Sequence, residues 1–337
     1  MANQPRFIVV IGASAGGLNA LAELVQTLPT GLDVAYCIVL HLSRKGIGDF
    51  VVHRLSKSTA MECSMAINGT LIEAGHIYVA PPNQHLLVKS GKILLGSGPQ
   101  ENRFRPSIDV LFRSAAVAYT SNAIGIILSG MLDDGTSGMW AIKRSGGTCI
   151  VQDPNQAEYP DMPLSVVNNM DVDYVIELDE TGPLIARITA LDRGVPTSAP
   201  QDVVLESQIA EKTAVGIDDV EQIGDKSVFA CPDCGGNLWT VKGDIINRYR
   251  CHIGHSYTER DLVVKQAETA STTLWVALRM MEERKHLLRK LEIEYSNKGY
   301  TSLSLDHLER KNEMEKHIDT LKIILSELQN HDTALLF

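Results

Sequence analysis

The sequence predicts an α/β chain: a doubly wound, mostly parallel sheet with an inserted β-hairpin, then a small Cys/His module and a C-terminal helical hairpin. Three observations predict it. Apolar runs with little alternation recur between helical patterns over residues 5–190, as strands buried on both faces require. Cys231, Cys234, Cys251, His252 and His255 crowd into one short segment. Two long stretches near the end space their apolar residues as single helix faces.

The elements follow in order. Strands are predicted at 7–11, 35–40, 124–128, 148–151 and 174–176. Helices are predicted at 18–25, 49–55, 108–119 and 138–144, with a short one after 176. Residues 76–80 and 85–88 flank Pro81-Pro82-Asn83, and 92–95 follow Gly91, which is a hairpin or meander signal. These elements make a domain over 1–192. From 193 to 226 the pattern dissolves among Pro196, Ser198, Pro200 and many acidic residues, predicting a flexible acidic linker. The Cys/His module spans 227–258. Over 259–337, Leu274, Leu278, Met281, Leu288 and Leu291 make one helix face, and Met314, Ile318, Leu321, Leu325 and Leu328 another. A turn over 296–300 joins them, and the pair reads either as a closed hairpin or as a coiled coil that oligomerises.

Composition narrows the function. The 337 residues are enough for two or three domains, and a formal net charge of −10 argues against a nucleic-acid binder. No run approaches the roughly 18 consecutive apolar residues of a membrane helix. The first six residues run into a strand rather than a secretory leader, so a cytoplasmic location is expected. Cys37, Cys63 and Cys149 lie alone in apolar contexts and read as reduced core residues.

Three polar residues each follow an apolar strand. Ser14 follows the first, His41 the second, and Asp134 the run at 124–128. In an open parallel sheet the carboxyl ends of the strands line one crevice, so a nucleophile, a base and a carboxylate can meet there. Gly12-Ala13-Ser14-Ala15-Gly16 matches the nucleophile-elbow pattern between a strand and a helix. Serine needs a base to take its proton, and the base needs a carboxylate to fix its tautomer. Two rival readings exist. A dinucleotide turn wants Gly where Ser14 stands and an acid where His41 stands. A simple helix cap also uses serine. Asp133 and Asp109 are alternative acids; Asp134 is preferred because Gly135 follows it at the turn, and Asp109 sits inside a helix pattern.

These residues are recognisable. Residues 6–190 resemble the catalytic domain of chemotaxis protein-glutamate methylesterases, the CheB family. The resemblance rests on the segments 11–17, 39–41, 75–81, 102–112 and 128–135, in that order. It implies a serine hydrolase that removes methyl esters from glutamates on chemoreceptor cytoplasmic helices, with glutamine deamidation in some members. Carried over by position, Ser14 is the nucleophile, His41 the base and Asp134 the orienting acid. Ala15 and Met131 correspond to the oxyanion site, and Arg103 and Arg105 would lie near the substrate groove. No cofactor is implied for catalysis. The familiar member carries an N-terminal receiver domain that this sequence does not show, and it has Thr where Ala15 stands. Control by a separate receiver or methyltransferase protein is the corresponding expectation. A non-catalytic regulatory or scaffold protein of a receptor pathway is the alternative.

Cys231-Pro232-Asp233-Cys234-Gly235-Gly236 is a zinc-knuckle pattern, completed by Cys251 and one of His252 or His255. Thiolate and imidazole favour zinc. His255 is preferred, because adjacent ligands at 251 and 252 are geometrically awkward. A closed four-ligand site is structural. A redox Cys-x-x-Cys would need a thioredoxin-like unit around it. The segment resembles zinc-ribbon-like tails on some receiver-less methylesterase homologues.

Overall fold

A computed structural model describes residues 4–41, 48–191, 198–212 and 216–335, and the chain divides into two compact units, Met1–Leu262 and Val263–Phe337. The first unit opens with β1 (Phe7–Ala13), α1 (Gly17–Thr27), β2 (Val34–Leu40), α2 (Gly48–Ser56), β3 (Glu62–Met65) and β4 (His76–Val79). It continues with β5 (His85–Lys89), β6 (Lys92–Gly96), α3 (Ile108–Tyr119), β7 (Ala123–Ile127), α4 (Thr136–Arg144) and β8 (Thr148–Gln152). Then come α5 (Asp161–Asn169), β9 (Tyr174–Ile176), α6 (Leu178–Ala190), α7 (Gln201–Glu211) and α8 (Ile217–Glu221). The sheet of β10 (Gly224–Ala230), β11 (Asn237–Val241), β12 (Arg248–Cys251) and β13 (Ser256–Thr258) follows.

Seven strands form one parallel sheet in the order β3-β4-β2-β1-β7-β8-β9. Alternate residues of β1 face opposite layers. Ile8 and Val10 join Phe112, Met139, Ile142 and Met162 from α3, α4 and α5. Val9 and Ile11 join Leu21, Leu24, Leu55 and Ile185 from α1, α2 and α6. Burial on both faces explains why these strands lack a polar period. The chain reverses its direction of winding between β1 and β7, which places the crevice of the fold at their carboxyl ends.

The inserted hairpin closes at the second of the two expected turns, at Gly91, and not at Pro81–Asn83. β5 pairs antiparallel with β6 across Ser90 and Gly91, whose φ of 49° and 71° closes a two-residue turn. β4 instead runs parallel between β2 and β3 in the main sheet. The expected flexible linker over 193–226 is also corrected in part. Residues 192–197 and 213–215 lie outside the described residues, but the stretch between them forms α7. Its Val203, Glu206, Ile209 and Ala210 are buried, Val203 against the α3 side of the core and Ile209 beside Val220, Ile223 and Trp239. The Cys/His sheet therefore belongs to the first compact unit.

In the remainder, α9 (Glu259–Asn297) turns into α10 (Thr301–Leu335) through Gly299, at φ 79°. Leu274, Leu278 and Met281 meet Met314, Ile318, Leu321 and Leu325, which makes a closed helical hairpin.

Candidate active site

The parallel register of β1 and β2 places Ala13 opposite Leu40, so Ser14 and His41 leave neighbouring strand ends together. The His41 N–H donates to the Ala13 carbonyl at 3.0 Å. The third strand end comes from β7, where the Ser14 N–H donates to the Ser129 carbonyl at 3.0 Å. This close approach depends on Gly130, where an added Cβ would lie 2.8 Å from the Ser14 Cβ and 2.0 Å from the Met162 sulfur. Gly16, at φ 71°, is the N-cap of α1 immediately after the elbow.

Asp134 lies on the β7–α4 connection and meets His41, with Nε2 2.9 Å from Oδ2. Both side chains are almost fully buried. Nε2 therefore carries the proton that it donates, and Nδ1 is left as the basic nitrogen. Nδ1 is buried and has no hydrogen-bond partner among the described residues. Asp134 is also held by the start of α3. It accepts the Ile108 N–H at 2.8 Å, the Asp109 N–H at 3.3 Å, the Ser107 hydroxyl at 3.0 Å and the Asn102 amide at 2.8 Å. Burial alone would raise its pKa. The His41 bond, the helix N–H groups and the Asn102 amide outweigh burial and hold the carboxyl below its ordinary value.

Of the alternative acids, Asp109 caps α4. Its Oδ1 accepts the Gly135 and Gly138 N–H groups at 3.0 and 2.6 Å. Burial, then the neighbouring Asp134, raises its pKa. Asp133 turns away from the imidazole to accept the Thr258 hydroxyl at 3.0 Å.

Two neighbours of the dyad lie in the matching segment 102–112 but were assigned no role from the sequence. The Phe104 ring stacks flat on the His41 imidazole. Asn102 bridges Asp134 and Asp109, 2.7 Å from the latter. Both sit on an irregular segment whose Asn102 and Arg103 take φ of 50° and 69°. The residues assigned to substrate fall in different places. Met131 is exposed on the β7–α4 connection, and the Ala15 carbonyl accepts the Ser129 hydroxyl. The Arg103 charge acts on Asp261. Arg105 ties down the hairpin by donating to Asn83 and to the Ser97 carbonyl, a structural duty.

The Cys/His sheet packs beside this segment through buried charges. Arg113, Arg248 and Arg250 are all but inaccessible. Arg250 lies 2.7 Å from Glu101, which Arg113 also contacts, and Arg248 donates twice to Glu206. Burial would raise the Glu101 pKa, but Arg113 and Arg250 hold it well below the usual range. A cleft of about 570 Å³ opens between α5 and the sheet, walled by Asp133, Ser165, Asn168, Ile245, Thr258 and Arg260.

Within the sheet, the donor atoms of Cys231, Cys234, Cys251 and His255 all lie within 4.8 Å of one another. The Cys234 and Cys251 sulfurs are 3.7 Å apart, and the Cys251 sulfur is 3.5 Å from His255 Nδ1. A tetrahedral zinc with Zn–S near 2.3 Å and Zn–N near 2.0 Å predicts edges of about 3.8 and about 3.5 Å. The donor set fits that ion. His252 packs edge-on against Trp239 instead.

Comparison with known proteins agrees over the first domain. The CheB methylesterase family profile matches residues 9–185. A Leptospira interrogans relative, named provisionally a protein-glutamate methylesterase/protein-glutamine glutaminase, is 40% identical over 181 residues, 53% of this chain and 93% of its own. A Salmonella typhi protein-glutamate methylesterase/protein-glutamine glutaminase is 36% identical over 188 residues, 54% of this chain and 53% of its own. The chain thus spans about half the length of that second relative. The crystal structure of the Thermotoga maritima CheB methylesterase catalytic domain superposes with a TM-score of 0.52 at 30% identity, over 55% of this chain and 98% of that one.

Proposed function

Since the chain belongs to the CheB methylesterase family, we propose that it hydrolyses glutamate γ-methyl esters on chemoreceptor cytoplasmic helices, with Ser14 as nucleophile. The observation that carries this reading is the His41–Asp134 pair, which leaves Nδ1 basic beside the strand end that bears Ser14. His41 Nδ1 takes the Ser14 hydroxyl proton as Oγ attacks the ester carbonyl. Asp134 balances the imidazolium that forms. Backbone N–H groups of Ala15 and Met131 stabilise the oxyanion. Collapse of the tetrahedral species breaks the C–O bond to the methoxy group, which leaves as methanol with the proton from His41. Water then attacks the acyl-Ser14, with His41 again as base, and releases the free glutamate. A glutamine side chain would follow the same path and release ammonia, the glutaminase activity in the relatives' names.

Zinc at Cys231, Cys234, Cys251 and His255 would be structural, since four protein donors close the ion's coordination. No helix of the described residues is long and apolar enough to cross a membrane, which fits a cytoplasmic site of action. Exposed Trp275, Met280, Leu287 and Ile323 on α9 and α10 fit self-association of those helices or contact with a separate receiver or methyltransferase.

The test is methanol release from methylated chemoreceptor by the wild type and by Ser14→Ala. Release that Ser14→Ala abolishes supports the esterase and its nucleophile. No release from the wild type, with no labelling of Ser14 by a fluorophosphonate, favours the scaffold reading.

A further inference from the structure

The Cys/His sheet grips the segment beside the dyad at two points, and each is one residue from a metal-binding side chain. Arg250 immediately precedes Cys251, and its Nη2 lies 2.7 Å from Glu101. Ser256 immediately follows His255, and its carbonyl accepts the Asn102 N–H at 2.8 Å. The Ser256 N–H in turn reaches the Gln100 carbonyl at 3.4 Å. Glu101 and Ser256 are bridged in parallel, so the segment behaves as a short fifth strand on this sheet.

What this grip holds is the part of the structure that orients the catalytic groups. Asn102 and Arg103 occupy the left-handed region of backbone space, which non-glycine residues adopt only where surroundings enforce it. From there the Asn102 amide reaches both Asp109 and Asp134, and one residue beyond Arg103 the Phe104 ring covers His41. The sheet has little core of its own: Leu238, Tyr249, Tyr257, Leu262 and the two buried cysteines. A sheet this small depends on cross-links for its order, and a four-donor metal supplies one.

We propose that the Cys/His sheet is a metal-dependent clamp on the active site, holding residues 100–104 so that Asn102 positions Asp134 and Phe104 positions His41. Asn102 is a positioning residue, because it acts through Asp134 and not on the reacting atoms. Metal occupancy thereby sets the catalytic competence of Ser14 from outside the reaction. The proposal rests on the esterase reading above for its kinetic consequence, and on geometry alone for its structural one.

The experiment compares the full chain loaded with zinc and stripped by a chelator under reducing conditions. Three quantities are read: zinc per chain, amide hydrogen exchange, and the rate of Ser14 labelling by a fluorophosphonate. Stripping is expected to speed exchange over 100–105 together with 231–256, while β1 and β7 stay protected. Labelling and kcat should fall at least about tenfold with KM little changed, as a loosened geometry predicts, and zinc should restore both. Faster exchange over 231–256 with no change at 100–105 or in labelling overturns the proposal, as does a chain that takes up no zinc. Should stripping also expose β1 and β7, zinc-loaded Asn102→Ala decides. It should keep its zinc, lose kcat about tenfold, and move the acid limb of its pH profile upward, because Asp134 with one donor fewer holds the imidazolium proton more tightly. An unchanged profile overturns the proposal. A zinc-loaded wild type that labels at Ser14 but releases no methanol would instead sink the substrate assignment, leaving the exchange and labelling tests in force.

Discussion

The Phe104 ring lies flat on the His41 imidazole, with centroids 3.6 Å apart and planes 7° from parallel. The contact fixes the imidazole plane from one side while Asp134 fixes it at the edge. A stacked pair is worth about 0.5–1.5 kcal/mol beyond its buried area. In Phe104→Ala the imidazole is free to tilt, and misplacement of order 1 Å costs up to about a hundredfold in rate. Phe104→Ala is therefore expected to lower kcat/KM by about ten- to a hundredfold, with Phe104→Tyr retaining most activity. Equal activity of Phe104→Ala and wild type would leave the stack without a catalytic role.

Asp134 is the most heavily supported group in the site, receiving donors from His41, Asn102, Ser107, Ile108 and Asp109. Asp134→Asn sets an NH2 group against at least one of them and favours the wrong imidazole tautomer. We expect kcat to fall about ten-thousandfold and stability to fall by about 1–3 kcal/mol. The folded pKa is depressed. The carboxylate's contribution is thus complete above its unfolded value near 3.9 and is lost as pH falls through the lower folded value. Urea midpoints of wild type and variant should begin to converge below about pH 4.

The gathering of Ser14, His41 and Asp134 at neighbouring strand ends was legible because each follows an apolar strand. The clustering of Cys231, Cys234, Cys251 and His255 was legible from their spacing. The roles of Asn102 and Phe104 were not, although segment 102–112 helps to carry the resemblance, because left-handed φ at two successive residues leaves no period to betray where the side chains point. Helix α7 inside the expected linker escaped the sequence reading for a related reason. Glu206 counts toward an acidic, solvated stretch, yet it is buried and paired by Arg248, a partner 42 residues away.

Gly130 tests how tightly the elbow is packed. A Cβ there would fall within 2.0 Å of the Met162 sulfur and 2.8 Å of the Ser14 Cβ. Met162 can swing aside, but Ser14 is tied by its own N–H to the Ser129 carbonyl. Gly130→Ala is expected to cost about 1–3 kcal/mol of stability and to slow fluorophosphonate labelling of Ser14 by more than any loss of folded protein accounts for. Wild-type labelling in a destabilised Gly130→Ala would show that the strain is absorbed wholly by Met162.

Asp261 makes the opposite prediction from Asp134. The Thr258 hydroxyl lies 3.0 Å from Asp133 and 3.1 Å from Asp261, and it has a single hydrogen to give. The second contact is a hydrogen bond only when a carboxyl is protonated. Burial, then the charges of Asp133 and Asp134, pushes the Asp261 pKa up to about 7. The folded value therefore exceeds the unfolded value of about 3.9, and the folded chain binds the extra proton. Its contribution to stability is complete below pH 4 and declines as pH rises through about 7. Asp261→Asn mimics the protonated form, since its NH2 can donate to the Thr258 oxygen at any pH. Relative to wild type, Asp261→Asn should gain about 1–3 kcal/mol between pH 5 and pH 8. A variant whose stability tracks the wild type in parallel across that range would mean that Asp133, not Asp261, holds the shared proton.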